Sequence, residues 1–331
     1  MMNVTPQLHF LFYMNRSGST LLARELNKFR DVAVGIEGFE KRFVQYDAET
    51  FKINTKKELK SWLDELYKND KKFIEWNVDR NELENKLTSI GFPLRFDKFL
   101  LTVLVLYSDK RSARILIHKG RCPSFFHNLY KSFKIYPNSK YIFIDRDPRA
   151  IYNSQKKSND SYTKKSMNKD IVQFALGYAN LQKKIKCYER SKILKNAFIK
   201  VVYENLVLSV DQEIDKILQF FECADIKIEE DNYFNSIPDD QKHLHENLKE
   251  KMLDRRINAW KKELTYDEIY FLEKVLKKSL LKNGYEMEKL SYNNLSNKII
   301  TFKNIMKFNL KYYPRMFAKN VMLLVRIRKI W

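Results

Sequence analysis

Short apolar runs, each followed by a segment with helical periodicity, constrain the fold of this chain more than any other feature. The runs are Leu8–Met14, Val32–Gly35, Arg114–His118, Lys140–Asp145 and Ala197–Val202. Largely apolar runs of this length are typical of strands buried on both faces of a sheet. Strands that alternate with helices build parallel sheets. The pattern therefore predicts an α/β three-layer fold, with a central parallel sheet flanked by helices.

The predicted helices divide the chain into a main domain, an insertion and an extension. They cover Thr20–Phe29, Lys57–Lys68, Asn81–Ile90, Pro123–Phe133, Pro148–Lys157, Asn168–Arg190, Val210–Phe221, Asp254–Lys262 and Tyr266–Asn283. Residues 41–112 are mostly helical and rich in charge, so we interpret them as a helical insertion in a domain of residues 1–289. Gly284 is the expected C-cap of the last helix of that domain. Residues 290–331 form a basic amphipathic extension with nine Lys or Arg and no Asp or Glu.

The charge balance and the cysteines limit the partners and the compartment. The 62 Lys and Arg exceed the 41 Asp and Glu by 21, which favours an anionic partner: a nucleotide, a nucleic acid, an acidic glycan or a lipid surface. The three cysteines form no CxxC pair, so the sequence predicts neither a disulfide framework nor a zinc site. No apolar run reaches the ~18 residues of a membrane span, and Leu8–Met14 lacks the build of a signal peptide. We expect a cytoplasmic protein without a metal site.

The segment after the first predicted strand has the composition of a phosphate-binding loop. It contains Arg16, Ser17, Gly18, Ser19 and Thr20, directly before a helix. Backbone N–H groups at the start of a helix, close backbone approach at a glycine and hydroxyl donors all favour a phosphate oxygen. The GxxxxGK[ST] pattern of nucleoside triphosphatases is absent, which disfavours a magnesium–triphosphate site. Arg16 instead offers a planar guanidinium to an anion.

A second group of polar residues follows the strand predicted at Lys140–Asp145. Arg146, Asp147 and Arg149 come at its carboxyl end, and Ser154 lies on the next predicted helix. Ligands of open parallel sheets bind at the carboxyl ends of strands. We therefore expect a second anion-binding group here, with Asp147 bracing a guanidinium.

Three segments in this order resemble the sulfotransferases that use 3′-phosphoadenosine 5′-phosphosulfate (PAPS). They are RSGST, PNSKYIFIDRDPRAIYNS and VVYENLV, beginning at Arg16, Pro137 and Val201. The resemblance runs from about Leu8 to Glu286, is closest to the tyrosylprotein-type and bacterial sulfotransferase-domain groups, and implies a P-loop-like fold. The stretch Phe43–Ser112 carries no motif that matches.

The resemblance also implies roles for individual residues. The 5′-phosphosulfate is expected on residues 16–20, the 3′-phosphate on Arg146 and Ser154, and further nucleotide contacts at Tyr203 and Arg256. The segment HKGRCP departs from the usual middle motif, so either Lys119 or Arg121 is the expected active-site cation beside Arg16. The late Lys–Pro of many relatives is also absent, and the nearest substitutes are Lys249, Lys251 and Arg255.

Sulfuryl transfer needs an in-line acceptor oxygen, cations around the transferred group and a general base for a hydroxyl. Glu37 follows the second predicted strand, where tyrosylprotein-type relatives have a catalytic Glu. Glu40 and His118 are the alternatives. Fixed cations can perform this chemistry without a metal.

The sequence also leads to expectations about the acceptor and about residues 290–331. A glycan or glycolipid hydroxyl is the expected acceptor, and no nucleic-acid partner is expected. The competing functions are a P-loop-type kinase or hydrolase and a basic nucleic-acid or membrane-binding module. For residues 290–331 we expect peripheral contact with an anionic membrane at its cytoplasmic face. Packing against the domain and a grip on an acidic glycan are the alternatives.

Overall fold

The computed structural model describes residues 6–36, 51–108, 113–121, 129–158, 167, 170–222, 256–288 and 301–314. Predicted residues that fall outside these ranges are Glu37, Glu40, Lys249, Lys251 and Arg255. The chain divides into two compact units: Met1–Asp145 with Tyr188–Lys251, and Arg146–Cys187 with Met252–Trp331. The boundary between a domain and an extension at residue 289 stays a prediction.

The elements follow the predicted alternation of strands and helices. The strands are β1 (Gln7–Tyr13), β2 (Val32–Val34), β3 (Lys52–Ile53), β4 (Leu94–Arg95), β5 (Ile115–Arg121), β6 (Tyr141–Asp145) and β7 (Phe198–Val202). The helices are α1 (Ser19–Asn27), α2 (Lys56–Asn69), α3 (Lys71–Ile74), α4 (Arg80–Ile90), α5 (Phe96–Ser108), α6 (Leu129–Ile135), α7 (Pro148–Lys157), α8 (Ile171–Glu189), α9 (Tyr203–Leu208), α10 (Val210–Phe220), α11 (Trp260–Glu263), α12 (Tyr266–Lys282) and α13 (residues 301–314).

A five-stranded parallel sheet in the order β2-β5-β1-β6-β7 forms the centre of the first unit. The predicted α/β fold, a central parallel sheet flanked by helices, is confirmed. Because β1 is the middle strand, its last residue, Tyr13, pairs in register with Arg121 of β5 on one side and with Ile144 of β6 on the other. The carboxyl ends of these three strands therefore meet at one edge of the sheet.

Aromatic packing holds the middle of the sheet. Phe10 and Phe12 of β1 are fully buried, and both rings stack on Tyr141 of β6 at nearly parallel angles. The His118 ring meets Phe10 edge-on, with 6.2 Å between the ring centroids. Buried aromatic side chains bring a large apolar area to a core, and such pairs add specific geometry. This layer fixes β1, and with it the segment that follows β1.

The segment between β2 and β5, predicted to be a helical insertion, contains more than the predicted helices. Leu59, Leu63 and Leu66 form the buried face of α2 at helical spacing. The short antiparallel pair β3 and β4 was not predicted, because two-residue strands leave no periodic signal. This segment packs against the end of β2: a Cβ on Gly35 would lie 2.5 Å from Cη2 of Trp76, so only glycine fits there.

In the second unit the helix boundaries follow their capping residues. Asp147 accepts a hydrogen bond from the Arg149 amide, and α7 begins at Pro148, as predicted. A capping box of Thr265 and Glu268 starts α12. Gly284, with φ at +78°, directly follows the C-cap of α12, which agrees with the expected glycine stop.

The helix predicted at Asp254–Lys262 begins later than predicted. The α-helix starts only at Trp260, Arg256 lies in a 3₁₀ turn, and residues 257–259 form the turn before the helix. Asn258 occupies this turn, and its short polar side chain favours turns over helix interiors. None of the helices within the described ranges is long and apolar enough to cross a membrane.

Candidate active site

The loop after β1 has a backbone that turns sharply before α1. The Ser17 amide donates to the Met14 carbonyl at 3.0 Å, which closes a turn. Arg16 has φ at +71° and Gly18 has φ at +98°, both in the left-handed region. A non-glycine residue there carries strain of about 1 kcal/mol or more, and such strain is found preferentially at functional sites. The loop therefore has a specific shape rather than an extended one.

The Ser17 hydroxyl is an unsatisfied polar group in this loop. Ser17 is fully buried, and its Oγ has no hydrogen-bond partner among the described residues. Its neighbour Gly18 is the N-cap of α1 and supplies no side-chain cap. A buried hydroxyl without a partner costs about 1–3 kcal/mol, which a bound ligand can recover. A phosphate or sulfate oxygen next to a helix N-terminus is the ligand that suits this donor.

Lys119 lies beside the same loop. Its Nζ is 3.3 Å from Oγ1 of Thr20 and 5.5 Å from the centre of the Tyr13 ring, and the side chain is only 3% exposed. The apolar run predicted a strand end at His118, yet β5 pairs with β1 through Arg121, so Lys119 lies within the paired strand. The sequence left Lys119 and Arg121 as alternative cations. The structure places the ammonium group of Lys119 at the loop, while the Arg121 side chain lies outside the described part.

The second predicted group belongs to the second unit and is built around Arg146. This side chain is 8% exposed, and its Nη2 donates to the Arg256 carbonyl at 3.1 Å. The Tyr178 hydroxyl donates to the Arg146 carbonyl at 3.4 Å. Arg146 and Arg256, both predicted to bind nucleotide, are thus brought together. Ser154 lies on α7, eight residues after Arg146, and is partly exposed.

Asp147 braces a guanidinium, as expected, and that guanidinium is the one of Arg149. Both carboxylate oxygens of Asp147 accept from Arg149, at 2.7–3.2 Å. The other Arg149 contacts are Oε1 of Glu273 at 2.5 Å, the Glu286 carbonyl at 2.9 Å and the Trp260 ring at 3.9 Å. A buried guanidinium needs such partners on every side. Arg149 therefore ties α7 to α12 and to the segment that carries Arg256, a role that the sequence did not reveal.

His118 lies deep in the sheet. It is fully buried, and burial lowers the pKa of its imidazole from 6.5 to about 4. This favours the neutral ring, but it also makes the ring a weak base. Among the described residues, no group of three His, Cys, Asp or Glu side chains is placed to hold a metal ion.

The sequence comparison decides the family. Residues 10–226, about two thirds of the chain, match the sequence profile of the Sulfotransferase family. This protein belongs to that family. The match spans the loop after β1, Lys119, Arg146 and Ser154, together with Tyr203, and the predicted family is confirmed. The P-loop-type kinase or hydrolase and the simple binding module are thereby set aside as alternatives.

Several solved sulfotransferase structures are similar to this sulfotransferase at low identity. The sulfotransferase domain of the Synechococcus PCC 7002 olefin synthase is 16% identical, with a TM-score of 0.46, over 87% of this chain and 98% of that one. The sulfotransferase domain from the curacin biosynthetic pathway is 17% identical, with a TM-score of 0.49, over 86% and 99%. A sulfotransferase from Mycobacterium avium is 13% identical, with a TM-score of 0.40, over 86% and 78%. No curated protein matches the sulfotransferase sequence significantly.

Proposed function

We propose that this sulfotransferase transfers the sulfuryl group of PAPS to a hydroxyl of a glycan or glycolipid. The observation that carries the proposal is the loop after β1. There the buried Ser17 hydroxyl has no partner among the described residues, and the Lys119 ammonium group lies 3.3 Å from Oγ1 of Thr20. The loop residues fit an anion on chemistry alone: a helix N-terminus, an unsatisfied hydroxyl and a buried cation.

In this proposal residues 16–20 hold the 5′-phosphosulfate, and Arg146 with Ser154 holds the 3′-phosphate. Tyr203 and Arg256 make further contacts with the nucleotide. The buried guanidinium of Arg146 supports its assignment, since a partly desolvated Arg binds a phosphate group more strongly than an exposed one. The hydrogen bond from Nη2 of Arg146 to the Arg256 carbonyl keeps the backbone of Arg256 beside the Arg146 guanidinium.

PAPS supplies an activated sulfuryl group whose leaving phosphate carries the developing charge. Lys119 is placed to stabilise that charge, with Arg16 as the second cation. A buried ammonium group acts in a medium of low dielectric constant, where its field is stronger than in water. Because Lys119 extends from a paired strand, its position needs little reorganisation during the reaction. In this proposal Lys119 and Arg16 supply the positive charge for a metal-free, in-line transfer.

Glu37 is the proposed general base. The Gly35 amide donates to the Ile117 carbonyl at 2.9 Å, so the chain runs beside β5 until two residues before Glu37. Lys119 comes two residues after Ile117 on the paired strand. Trp76 covers Gly35, and this contact fixes the point where the chain leaves β2. A Glu carboxylate is ionised at neutral pH and can therefore accept a hydroxyl proton. His118 is a poorer candidate because its ring is fully buried in the sheet, edge-on to Phe10, and is closed off from an acceptor.

The acceptor class and the location form the finer part of the proposal. The excess of 21 positive charges favours an acidic glycan or a lipid-linked glycan over a neutral peptide. We propose that the enzyme works at the cytoplasmic membrane face, where residues 290–331 would bring it to a lipid-linked acceptor.

The test is transfer of labelled sulfuryl from PAPS to three acceptors: a glycan, a glycolipid and a tyrosine peptide. Transfer to either carbohydrate acceptor is the expected result, whereas labelling of the peptide alone contradicts the acceptor class. Glu37→Gln is expected to lower turnover by about 100-fold while nucleotide affinity is retained. Glu40→Gln is the matched control, and it is expected to retain turnover. If the two variants behave in the opposite way, Glu40 is the base.

A further inference from the structure

Helix α13 is attached to the second unit through one side. Phe308 is 2% exposed and Thr301, seven residues earlier, is 3% exposed, so both lie on the same face of the helix. The Phe308 ring meets Phe271 of α12 edge-on at 6.4 Å and stacks on Tyr312 at 5.1 Å. This part of the extension is therefore packed, as one of the alternative predictions proposed.

The opposite side of α13 is apolar and open. Phe302, Met306, Leu310 and Tyr313 are 62%, 48%, 69% and 61% exposed. With ~100° per residue they span an arc of roughly 80°, centred away from Phe308. We call these four residues the outer stripe. Large apolar side chains that are exposed singly are ordinary, but a contiguous row on one helix marks a contact surface.

A row of lysines lies along one edge of the outer stripe. Lys303, Lys307 and Lys311 repeat every four residues, each one position after a residue at 302, 306 or 310. The Lys307 ammonium group is 3.8 Å from a carboxylate oxygen of Asp170, and both side chains are half-exposed. Because this carboxylate offsets part of the charge of Lys307, we expect Lys303 and Lys311 to contribute most of the positive charge of the row. Residues 290–331 contain no acidic residue. The face thus combines an apolar row and a cationic row.

We propose that this face docks onto an anionic lipid bilayer. An apolar row beside a row of lysines is the arrangement of helices that lie in a membrane interface, with the side chains of the stripe among the acyl chains and the ammonium groups at the phosphates. A second copy of the chain is disfavoured as the occupant, because it would bring a like-charged lysine row against the first. Packing and docking are then not alternatives, since opposite faces of one helix perform them.

The proposed function gives the docking its purpose, delivery of the enzyme to a lipid-linked acceptor, but the docking itself is measured without catalysis. The full chain is sedimented with vesicles of phosphatidylcholine and phosphatidylglycerol in equal parts, and with vesicles of phosphatidylcholine alone. We expect binding to the mixed vesicles only, falling as salt is added. In parallel, nucleotide binding is measured by calorimetry. Loss of vesicle binding with intact nucleotide binding refutes the docking alone, and the reverse refutes the proposed function alone.

Two variants of α13 separate the rows. F302S/M306S/L310S removes the apolar row and is expected to abolish sedimentation. K303Q/K311Q removes two cations and is expected to weaken binding to mixed vesicles by roughly 25-fold, about fivefold for each cation. The matched controls lie on α12 of the same unit: Leu281→Ser removes a 54% exposed apolar side chain, and K277Q/K278Q removes two exposed cations. Both controls are expected to bind as the unaltered chain does.

Three results would overturn the proposal. The full chain fails to sediment with mixed vesicles, the F302S/M306S/L310S variant sediments as well as the unaltered chain, or the α12 control variants lose as much binding as the α13 variants. Light scattering of the free protein tests whether a second copy of the chain covers the outer stripe instead. A dimer that becomes a monomer in the F302S/M306S/L310S variant would assign the stripe to a second copy.

Discussion

Gly18 and Tyr203 touch so closely that a Cβ on Gly18 would lie 2.1 Å from Cδ2 of the tyrosine ring. Tyr203 follows β7 directly and starts α9, so this contact joins the loop after β1 to the far edge of the sheet. Two motifs separated by about 180 residues in the sequence therefore act as one structural element. Glycine is required at position 18 for two reasons: its φ is +98°, and a side chain would overlap the Tyr203 ring.

Gly18→Ala is expected to destabilise the loop and to abolish nucleotide binding. The left-handed φ costs about 1–2 kcal/mol for a residue with a Cβ, and the overlap with the ring adds about 1–3 kcal/mol. Chemical denaturation measures the loss of stability, and calorimetry with 3′-phosphoadenosine 5′-phosphate measures the loss of nucleotide binding.

Gly284→Ala is the matched control for this change. Gly284 has φ at +78°, but nothing lies within 4 Å of its added Cβ, so only the strain of the backbone is expected. In a Tyr203→Ala background, Gly18→Ala should cost less stability than it does in the unaltered chain, because the overlap with the ring is gone. An equal cost of Gly18→Ala in both backgrounds would show that the ring contact is irrelevant.

Arg146→Ala is expected to weaken the binding of 3′-phosphoadenosine 5′-phosphate by about 10- to 100-fold and to leave the binding of adenosine 5′-phosphate almost unchanged. Only the first nucleotide has the 3′-phosphate, and a charge-assisted contact contributes about 1.5–3 kcal/mol. Titration calorimetry with both nucleotides provides the comparison, and Arg190→Ala at an exposed position is the control. Equally weakened binding of both nucleotides would contradict the assignment of Arg146 to the 3′-phosphate.

Lys119→Met is expected to lower turnover by about 100-fold or more, since a preorganised charge near the transferred group commonly contributes that much. Methionine keeps the apolar length of the buried side chain and removes the charge. Rates are measured under saturating PAPS, with circular dichroism to verify folding. Arg121→Gln is the paired variant. Normal turnover in Lys119→Met together with a collapse in Arg121→Gln would make Arg121 the active-site cation.

Acid is expected to destabilise the protein partly through His118. The pKa of His118 is lowered to about 4 by burial, so the unfolded chain takes up a proton below pH 6.5 that the folded protein refuses until about pH 4. The stability that the neutral ring contributes is therefore lost as the pH falls through this window, by roughly 3 kcal/mol at pH 4. Denaturation of His118→Leu across this range should show a pH dependence flatter by that amount. Identical pH profiles for the two proteins would contradict this assignment.

The sequence was informative where local physics decides the structure. α7 begins where predicted because Asp147 and Pro148 are strong start signals. β1 was found because a strand in the middle of a sheet must be apolar on both faces. Lys119 was placed beyond its strand, because strand pairing continues through polar residues that an apolar run does not cover.

Long-range contacts were beyond the reach of the sequence. The position of the Lys119 ammonium group at the loop depends on a contact with Thr20, 99 residues away in the chain. The ties of Arg149 to Glu273 and Trp260 likewise depend on packing between distant helices. No local pattern encodes such contacts, whereas the motif order alone was sufficient for the family.

Calorimetric titration of the full chain with 3′-phosphoadenosine 5′-phosphate in the presence of a metal chelator tests the central claim most directly. We expect one nucleotide to bind per chain, more tightly than adenosine 5′-phosphate by at least about tenfold, because the second phosphate adds a charge-assisted contact. ATP with magnesium is titrated alongside. Binding of ATP with magnesium, combined with no binding of 3′-phosphoadenosine 5′-phosphate, would contradict the account.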